Sequence, residues 1–450
     1  MRFLPSTICP KLMNFGNTSC YFCLLFACLF FLLPKNLQAD DEFTFKFEEI
    51  EKKPLEWGGY VELKFDHLDI NQGGALTTLN FPDQQPTTID RFSPSLQIDG
   101  SYVKGITSFN WLLKAAGQQD NFGWIDFADI YEAYGRVKPN PNSTIDLGKK
   151  AYKWGKGYAW NPVGFINRPK DPTDPQEALE GYIIGELDLI KSFSGHAASL
   201  DNIALTTVFL PVYNGINDEF GVEGNANLAA KLYFLYQDTD IDLLLYTGNS
   251  RSSRFGADFS RNIATNFEIH GEAAYVLGEH KLILQENGTT RLENNDVFSG
   301  LLGLRYLTEN DQTAIIEYYY NGNGYTEEER ALFYQQVAES DLQPGKKKSF
   351  LQQVRELSLR GYGRPFVGKN YLYARFTQKE PFDILYFTPG FIAIINLNDQ
   401  SASVTPELIY TGFTNWEIRL RVSLFMGGSS TEYGEKQVDN KVEFRLRWFF

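Results

Sequence analysis

Val442-Glu443-Phe444-Arg445-Leu446-Arg447-Trp448-Phe449-Phe450 alternates between an apolar face (Val442, Phe444, Leu446, Trp448, Phe450) and a charged one carried by Glu443, Arg445 and Arg447. A period of two is a strand signal, since successive side chains of an extended chain point to opposite faces. In a soluble fold, so aromatic a terminal strand is an aggregation hazard, because its edge is open to another chain. In a closed membrane barrel the hazard disappears. The apolar face meets lipid, the charged face meets a watery lumen, and the edge pairs with the first strand.

The same alternation recurs along the chain. It begins at 57–69, where Val61, Leu63 and Phe65 oppose Glu62, Lys64 and Asp66. It returns at 96–102, 107–114, 127–137, 143–153, 200–210, 228–237, 240–248, 266–276, 280–286, 298–308 and 312–320. Further segments are 351–361, 369–378, 383–397, 402–412, 415–427 and 439–450. Tight polar connections, such as 238–240, 278–279 and 309–312, alternate with long ones at 70–90, 154–178, 211–227, 249–264 and 321–350. Short turns at one end and long loops at the other are the asymmetry of membrane barrels. The expected fold is all-β, a transmembrane antiparallel up-and-down barrel. At roughly 20 to 24 residues per strand and connection it has about 18 strands, with about 16 as the alternative. Glu327 to Ser340, rich in Glu, Gln, Ala and Leu, reads as a short helix in the longest loop. The region 351–400 is where strand directions fit least well.

The N-terminus is consistent with export. Arg2 and Lys11 precede an apolar run from Cys20 to Leu33, and Leu37-Gln38-Ala39 leads into Asp40-Asp41. That run is short of the roughly 20 residues of a spanning helix and suits a secretory signal. Residues 1–39 are read as a cleaved signal peptide and 40–450 as one barrel domain. All four cysteines, Cys9, Cys20, Cys23 and Cys28, fall within the signal, so the remainder cannot be a disulfide-held secreted fold. The chain carries 42 basic and 56 acidic residues, a net charge of −14, which opposes nucleic-acid binding. Aromatics make up 15% of a chain whose mean hydropathy is only −0.31. Lipid-facing and lumen-facing residues average out in this way along barrel strands.

The terminal pattern resembles the C-terminal signal of Gram-negative outer-membrane β-barrels, with Phe444, Leu446, Trp448 and Phe450 at the matching positions. The resemblance implies recognition by the barrel-assembly machinery and residence in the outer membrane, in contact with its lipid and lipopolysaccharide. A second stretch runs from Gly148-Lys149-Lys150 through Trp154-Gly155 and Asn161-Pro162 to Asp171-Pro172, Asp174-Pro175 and Glu180-Gly181. It resembles a segment of poorly characterised porin-like proteins, including alginate-export-like barrels. That likeness implies a porin-like channel for small hydrophilic solutes, with export of an anionic polysaccharide as one alternative; a closed barrel serving as adhesin or anchor is the other, favoured if 321–350 fills the lumen.

Two groups of residues are candidates for function. Lys149, Lys150, Lys153, Lys156, Arg168 and Lys170 form a basic island in an acidic chain, on a loop stiffened by proline. Folded into the lumen, it would make a constriction selecting anionic solutes; exposed, it would meet lipopolysaccharide phosphates or water. Arg419, Arg421, Arg445 and Arg447 lie on the polar faces of the last two segments, and closure would set Glu62, Lys64 and Asp66 beside them. Such a ladder produces a transverse field across a pore or stiffens the wall with salt bridges. Arg305, Arg360 and Arg375 are possible additions to that field. Asp171 and Asp174 read as turn formers, with Ca²⁺ binding as the alternative. The four histidines (His67, His196, His270, His280) show no metal-ligand spacing, and no nucleophile elbow or phosphate loop is present. No enzymatic activity, cofactor or metal is expected.

Overall fold

The computed structural model describes residues 53–193, 200–341 and 347–450; the proposed signal peptide and His196 lie outside the described residues. The first nine strands are β1 (Leu55–Ile70), β2 (Thr88–Lys104), β3 (Thr107–Asp120), β4 (Gly123–Asn140), β5 (Ser143–Lys150), β6 (Tyr182–Ser192), β7 (Leu200–Val212), β8 (Asn225–Tyr236) and β9 (Thr239–Thr247). The others are β10 (Arg254–Ala264), β11 (Phe267–Leu284), β12 (Thr290–Leu307), β13 (Gln312–Tyr320), β14 (Asn370–Gln378), β15 (Phe387–Asn396), β16 (Ala402–Tyr410), β17 (Trp416–Met426) and β18 (Val438–Phe449). Each pairs antiparallel with the next, and β18 returns to β1, closing an 18-stranded barrel.

Closure follows the register that the terminal alternation demands. Glu62 faces Arg447, Lys64 faces Arg445 and Asp66 faces Glu443. Val442 and Phe444 are 40% and 41% exposed on the outside, while Glu443 and Arg445 between them are buried within. The outer surface carries exposed Phe65, Phe109, Leu147, Leu245, Phe255 and Leu302, the apolar belt that a bilayer solvates and water does not. At the seam Phe450 N donates to Gly59 O (3.1 Å) and Gly59 N to Phe450 O (3.3 Å). Gly59 admits this approach because a Cβ there would lie 2.1 Å from Gln97 O and 3.0 Å from the Phe450 ring. Trp57 and Trp448 each contact Phe450 beside it (6.0 and 5.5 Å), an aromatic cluster of the kind found at a membrane interface.

Both barrel ends of the seam strands, Leu55 and Phe449, share the end that holds the turns 105–106, 141–142, 237–238, 265–266 and 308–311. The opposite end holds 71–87, 151–181, 213–224, 321–369 and 427–437. There α1 (Ala75–Asn80), α2 (Glu327–Asp341) and α3 (Lys347–Leu357) build a small core of their own from Leu79, Phe333, Val337, Val354, Leu357 and Tyr362, joined by Leu284 of β11. Buried Arg330 of α2 pairs with Asp399 at 2.5 Å, tying this cap to the β15–β16 turn.

The strand number agrees with expectation, but four segments differ. The stretch 351–361 is helical, because Val354 and Leu357 recur at a helical interval and both enter the cap core. Segments 266–276 and 280–286 are one strand, β11, with an irregularity between Val276 and Glu279 where Gly278 takes φ +61. Two strands went unread: β10 falls in the stretch 249–264 read as a connection, and β6 in 179–199, read as neither strand nor connection. Tyr182 and Ile184 of β6 are apolar on the inner face as well, which blurs the alternation. In β10 the inward Gly256 breaks it; a Cβ there would lie 2.9 Å from Val163. Both exceptions have one cause, the loop 151–181 lying against the inner wall. The helix read at 327–340 is present as α2.

Candidate functional site

The loop 151–181 leaves the wall at the end of β5 and crosses the interior, held at three places. Its first attachment is apolar. Tyr152, Trp154, Val163, Phe165 and Ile166 bury themselves against Tyr182, Ile184, Val208, Leu210, Leu244 and Tyr246 of the inner wall. Trp160 stacks on Tyr319 (5.1 Å) and meets Phe366 edge-on (5.5 Å).

The second attachment is two wall carboxylates that collect backbone N–H groups. Lys156 N and Gly157 N both donate to Glu272 Oε1 at 2.7 Å, Asn161 Nδ2 donates at 2.8 Å, and Val163 N reaches Oε2 at 3.2 Å. Tyr158 N and Ala159 N donate to Glu317 at 2.5 and 2.8 Å, and His270 Nε2 lies 2.9 Å from the same carboxylate. Charge-assisted bonds of this kind are about twice as strong as neutral ones. The turn needs Gly155, which has φ +102 and where a Cβ would sit 2.6 Å from Glu272 Oε1.

The third attachment is at the arginine ladder. Asp174 receives Arg445 Nη1 at 2.8 Å, with Arg419 at 3.5 Å and Arg421 at 3.7 Å. Thr173 O accepts from Arg421 Nη2 at 3.0 Å, and Lys114 of β3 pairs with Glu177 at 2.9 Å. Burial alone would raise the Asp174 carboxyl, but Arg445, Arg421 and Arg419 outweigh it and hold the group at about 2, below its ordinary 3.8.

The ladder residues lie together on the inner wall. Arg419 faces Arg445 and Arg421 faces Glu443 across β17–β18. Every guanidinium there is matched: Arg447 with Glu62 (2.6 Å), Arg445 with Glu443 (2.9 Å), Arg421 with Glu407 (3.1 Å) and Arg419 with Glu417 (3.1 Å). Asp66 meets Lys441 at 3.3 Å. Arg375 joins through Glu407 (3.2 Å) and Arg305 lies near Glu268 (3.9 Å), whereas Arg360 is exposed in the cap and outside the ladder.

The basic island is folded inward, yet most of its charge meets the wall. Lys149 pairs with Glu180 (2.5 Å), Lys150 with Asp146 and Glu186 (2.6 and 2.7 Å), Lys156 with Asp242 (3.0 Å), and Arg168 with Glu219. Lys170 donates to Gly157 O at 2.7 Å. Burial pushes its amine down to about 8, with Glu317 and Glu272 pulling partly back. Lys153 is exposed, and neither it nor Lys64 makes an ion pair among the described residues. Asp171 is a turn former, accepting from Thr173 N and Oγ1 at 2.8 Å. The sequence reading missed the acceptors Glu272, Glu317, Asp242 and Asp258. Their signal is a lone acid on the inward face of an apolar strand, as in Ile315-Ile316-Glu317-Tyr318.

Two pH windows follow for loop docking. Asp174 has a lower pKa docked than free, so its contribution is complete above 3.8 and is lost as pH falls through about 2. Lys170 is also lower when docked, so the free loop binds the extra proton between about 8 and 10.5 and docking strengthens as pH rises through that window. Conductance is therefore expected to rise and become noisier below pH 3.8, and to quieten from about 8 upward; single-channel records across pH check both signs.

A closed 18-stranded antiparallel barrel, apolar outside and charged inside, with a long loop folded across its interior, is a porin-like barrel. Solved structures of similar shape include two proteins of Acinetobacter baumannii. OccAB1 is 11% identical with a TM-score of 0.49, covering 88% of this chain and 96% of its own. OccAB2 is 10% identical with a TM-score of 0.48, covering 88% and 98%. A mutant of the Rh. blastica porin is 10% identical with a TM-score of 0.43, covering 88% and 100%. These are likenesses of shape alone. No protein-family model and no curated protein matches the chain.

Proposed function

We propose that this protein is a bacterial outer-membrane channel through which small hydrophilic solutes diffuse, with the loop 151–181 as its constriction. The observation that carries the reading is the docking of that loop between Glu272 and Glu317 on one side and the arginine ladder on the other. A loop so fastened narrows a bore without unfolding the wall, and the surrounding charges set which solutes pass. Lys149, Lys150, Lys156 and Arg168 are matched by acids and Lys170 is held on Gly157 O, so the exposed Lys153 and the lumen residue Lys64 are the first candidates for a preference for anions. Lipid and lipopolysaccharide would surround the apolar belt, and the seam residues Phe444, Leu446, Trp448 and Phe450 would be read by the assembly machinery.

Refolded protein is expected to give stepwise ion conductance in planar bilayers. Well-folded protein that inserts and stays silent would refute the channel. Neutralising Lys153 and Lys64 together to Gln should shift the reversal potential toward cation preference. An unchanged potential would remove both lysines from the selectivity argument without touching the channel itself.

A further inference from the structure

One connection at the turn end of the barrel is unlike its neighbours. The turns 237–238, 265–266 and 308–311 are short and wholly polar. Lys379-Glu380-Pro381-Phe382-Asp383-Ile384-Leu385-Tyr386, between β14 and β15, is longer and carries four large apolar or aromatic side chains. Phe382 is 93% exposed, Leu385 62%, Tyr386 54% and Ile384 48%. Water solvates so concentrated an apolar tip poorly, and exposed patches of this kind mark interaction surfaces.

The shape of the tip is fixed from within and from both sides. Glu380 N donates to Phe387 O at 2.8 Å, the Glu380 carboxylate accepts from Tyr386 N at 2.9 Å, and Pro381 is buried. Lys379 N donates to Asp311 O (3.2 Å) in the turn on one side, and Tyr386 O accepts from Thr411 N (3.1 Å) in the turn on the other. Within that frame Glu380, Phe382, Asp383 and Tyr386 all take positive φ (48, 58, 59 and 63°). The left-handed region is costly for a residue with a Cβ, and such strain persists where the surroundings impose it, typically where a ligand or partner is met. The frame thus holds the apolar side chains outward.

Position says what they meet. Phe391 and Leu408 are exposed on the outer face of β15 and β16, while Ile392 and Glu407 are buried on the inner one. The same alternation puts Phe387 and its partner Tyr410 outside, directly beside the turn. Phe413 meets the Tyr410 ring at 5.6 Å, and Trp416 reaches the seam aromatics through Trp448 at 6.5 Å. The tip therefore continues the apolar belt. Exposed Lys379 and Asp383 flank it with opposite charges. A convex apolar tip suits a partner that yields to its shape, and a lipid leaflet does so, with aromatic rings settling at the headgroup boundary.

We propose that 379–386 is a lipid anchor: Phe382, Ile384, Leu385 and Tyr386 enter the leaflet at the turn end, while Lys379 and Asp383 meet the phosphate and amine of zwitterionic phospholipids. The anchor holds this side of the barrel at a fixed depth. The proposal rests on the membrane-channel reading and adds to it a surface that the pore does not use.

From Asp40 onward the chain has no cysteine, so single labels are clean. The protein is refolded into phosphatidylethanolamine–phosphatidylglycerol vesicles whose acyl chains carry bromine as quencher. A fluorescent label at Phe382→Cys should lose about as much emission as one on the belt at Leu408→Cys. A label at the polar turn, Asp238→Cys, should lose little. A Phe382 label that behaves like the Asp238 label would overturn the anchor and leave the tip to water or to a protein partner. In the background F382D/L385D, a label at Ile384→Cys should escape quenching while the Leu408 label does not. An Ile384 label still quenched there would show that the apolar side chains do not drive insertion, which also overturns the proposal. An unquenched Leu408 label would instead refute the membrane reading on which the anchor rests, so the two failures are distinct.

Discussion

Replacing Asp174 by Asn is expected to free the far end of the loop and raise single-channel conductance. The side chain keeps its size, so the change removes charge and little else. Arg445, Arg419 and Arg421 converge on this one carboxylate, and breaking a buried pair by deleting one partner costs about 3–5 kcal/mol. Ladder guanidiniums that lose their acid should also tilt selectivity toward anions. The variant must lose the acid response below pH 3.8, because that response belongs to the same carboxyl. Unaltered conductance together with an unaltered acid limb would show that Asp174 does not hold the loop.

Glu272→Gln is expected to detach the other side. Four N–H groups converge on this buried side chain, and an amide can present only one oxygen to them while its NH₂ opposes the others. Even with its oxygen kept toward the three donors on Oε1, the amide opposes Val163 N and all four bonds lose a charged acceptor, each such bond being worth about 1.5–3 kcal/mol. Adding Glu317→Gln should complete the release, since Tyr158 N and Ala159 N depend on it. The measurement is limited proteolysis within 151–181 alongside circular dichroism. Faster cleavage in the loop with an unchanged strand spectrum is the expected pair of results. A loop that stays protected in the double variant would mean that its apolar face alone suffices to hold it.

The wall was legible because its physics is local. Val442 to Phe450 states the inside and outside of β18 in its own residues, and the register with Glu62, Lys64 and Asp66 follows from closing a ring. The ladder was legible for the same reason. What the sequence concealed depends on the loop. Tyr182 and Ile184 are apolar on the inner face only because Tyr152 and Phe165 lie on them, and Gly256 is small only because Val163 lies on it. β10 therefore looked like a connection, and β6 like no element at all. The basic island was visible as composition, but the acids that meet it are dispersed among β5, β6, β9 and the loops, single residues whose convergence only the fold brings about. Asp174 looked like a turn residue, since nothing nearby in sequence announces the three arginines it serves.

The seam where Phe450 meets Gly59 also orders assembly in time. Every other neighbouring pair of strands is a hairpin or a moderately long connection, whereas β1 and β18 lie almost the whole described chain apart. Loop-closure entropy makes that contact the costliest to form by chance, so it comes last. Until then the growing sheet has two bare edges, and the pairing that ends this vulnerability is made by the same aromatic residues that sit at the lipid boundary. In a bilayer, insertion and closure would thus be coupled. Seam aromatics that found their preferred depth on closing the ring would give the final step a pull that a soluble sheet of the same topology lacks.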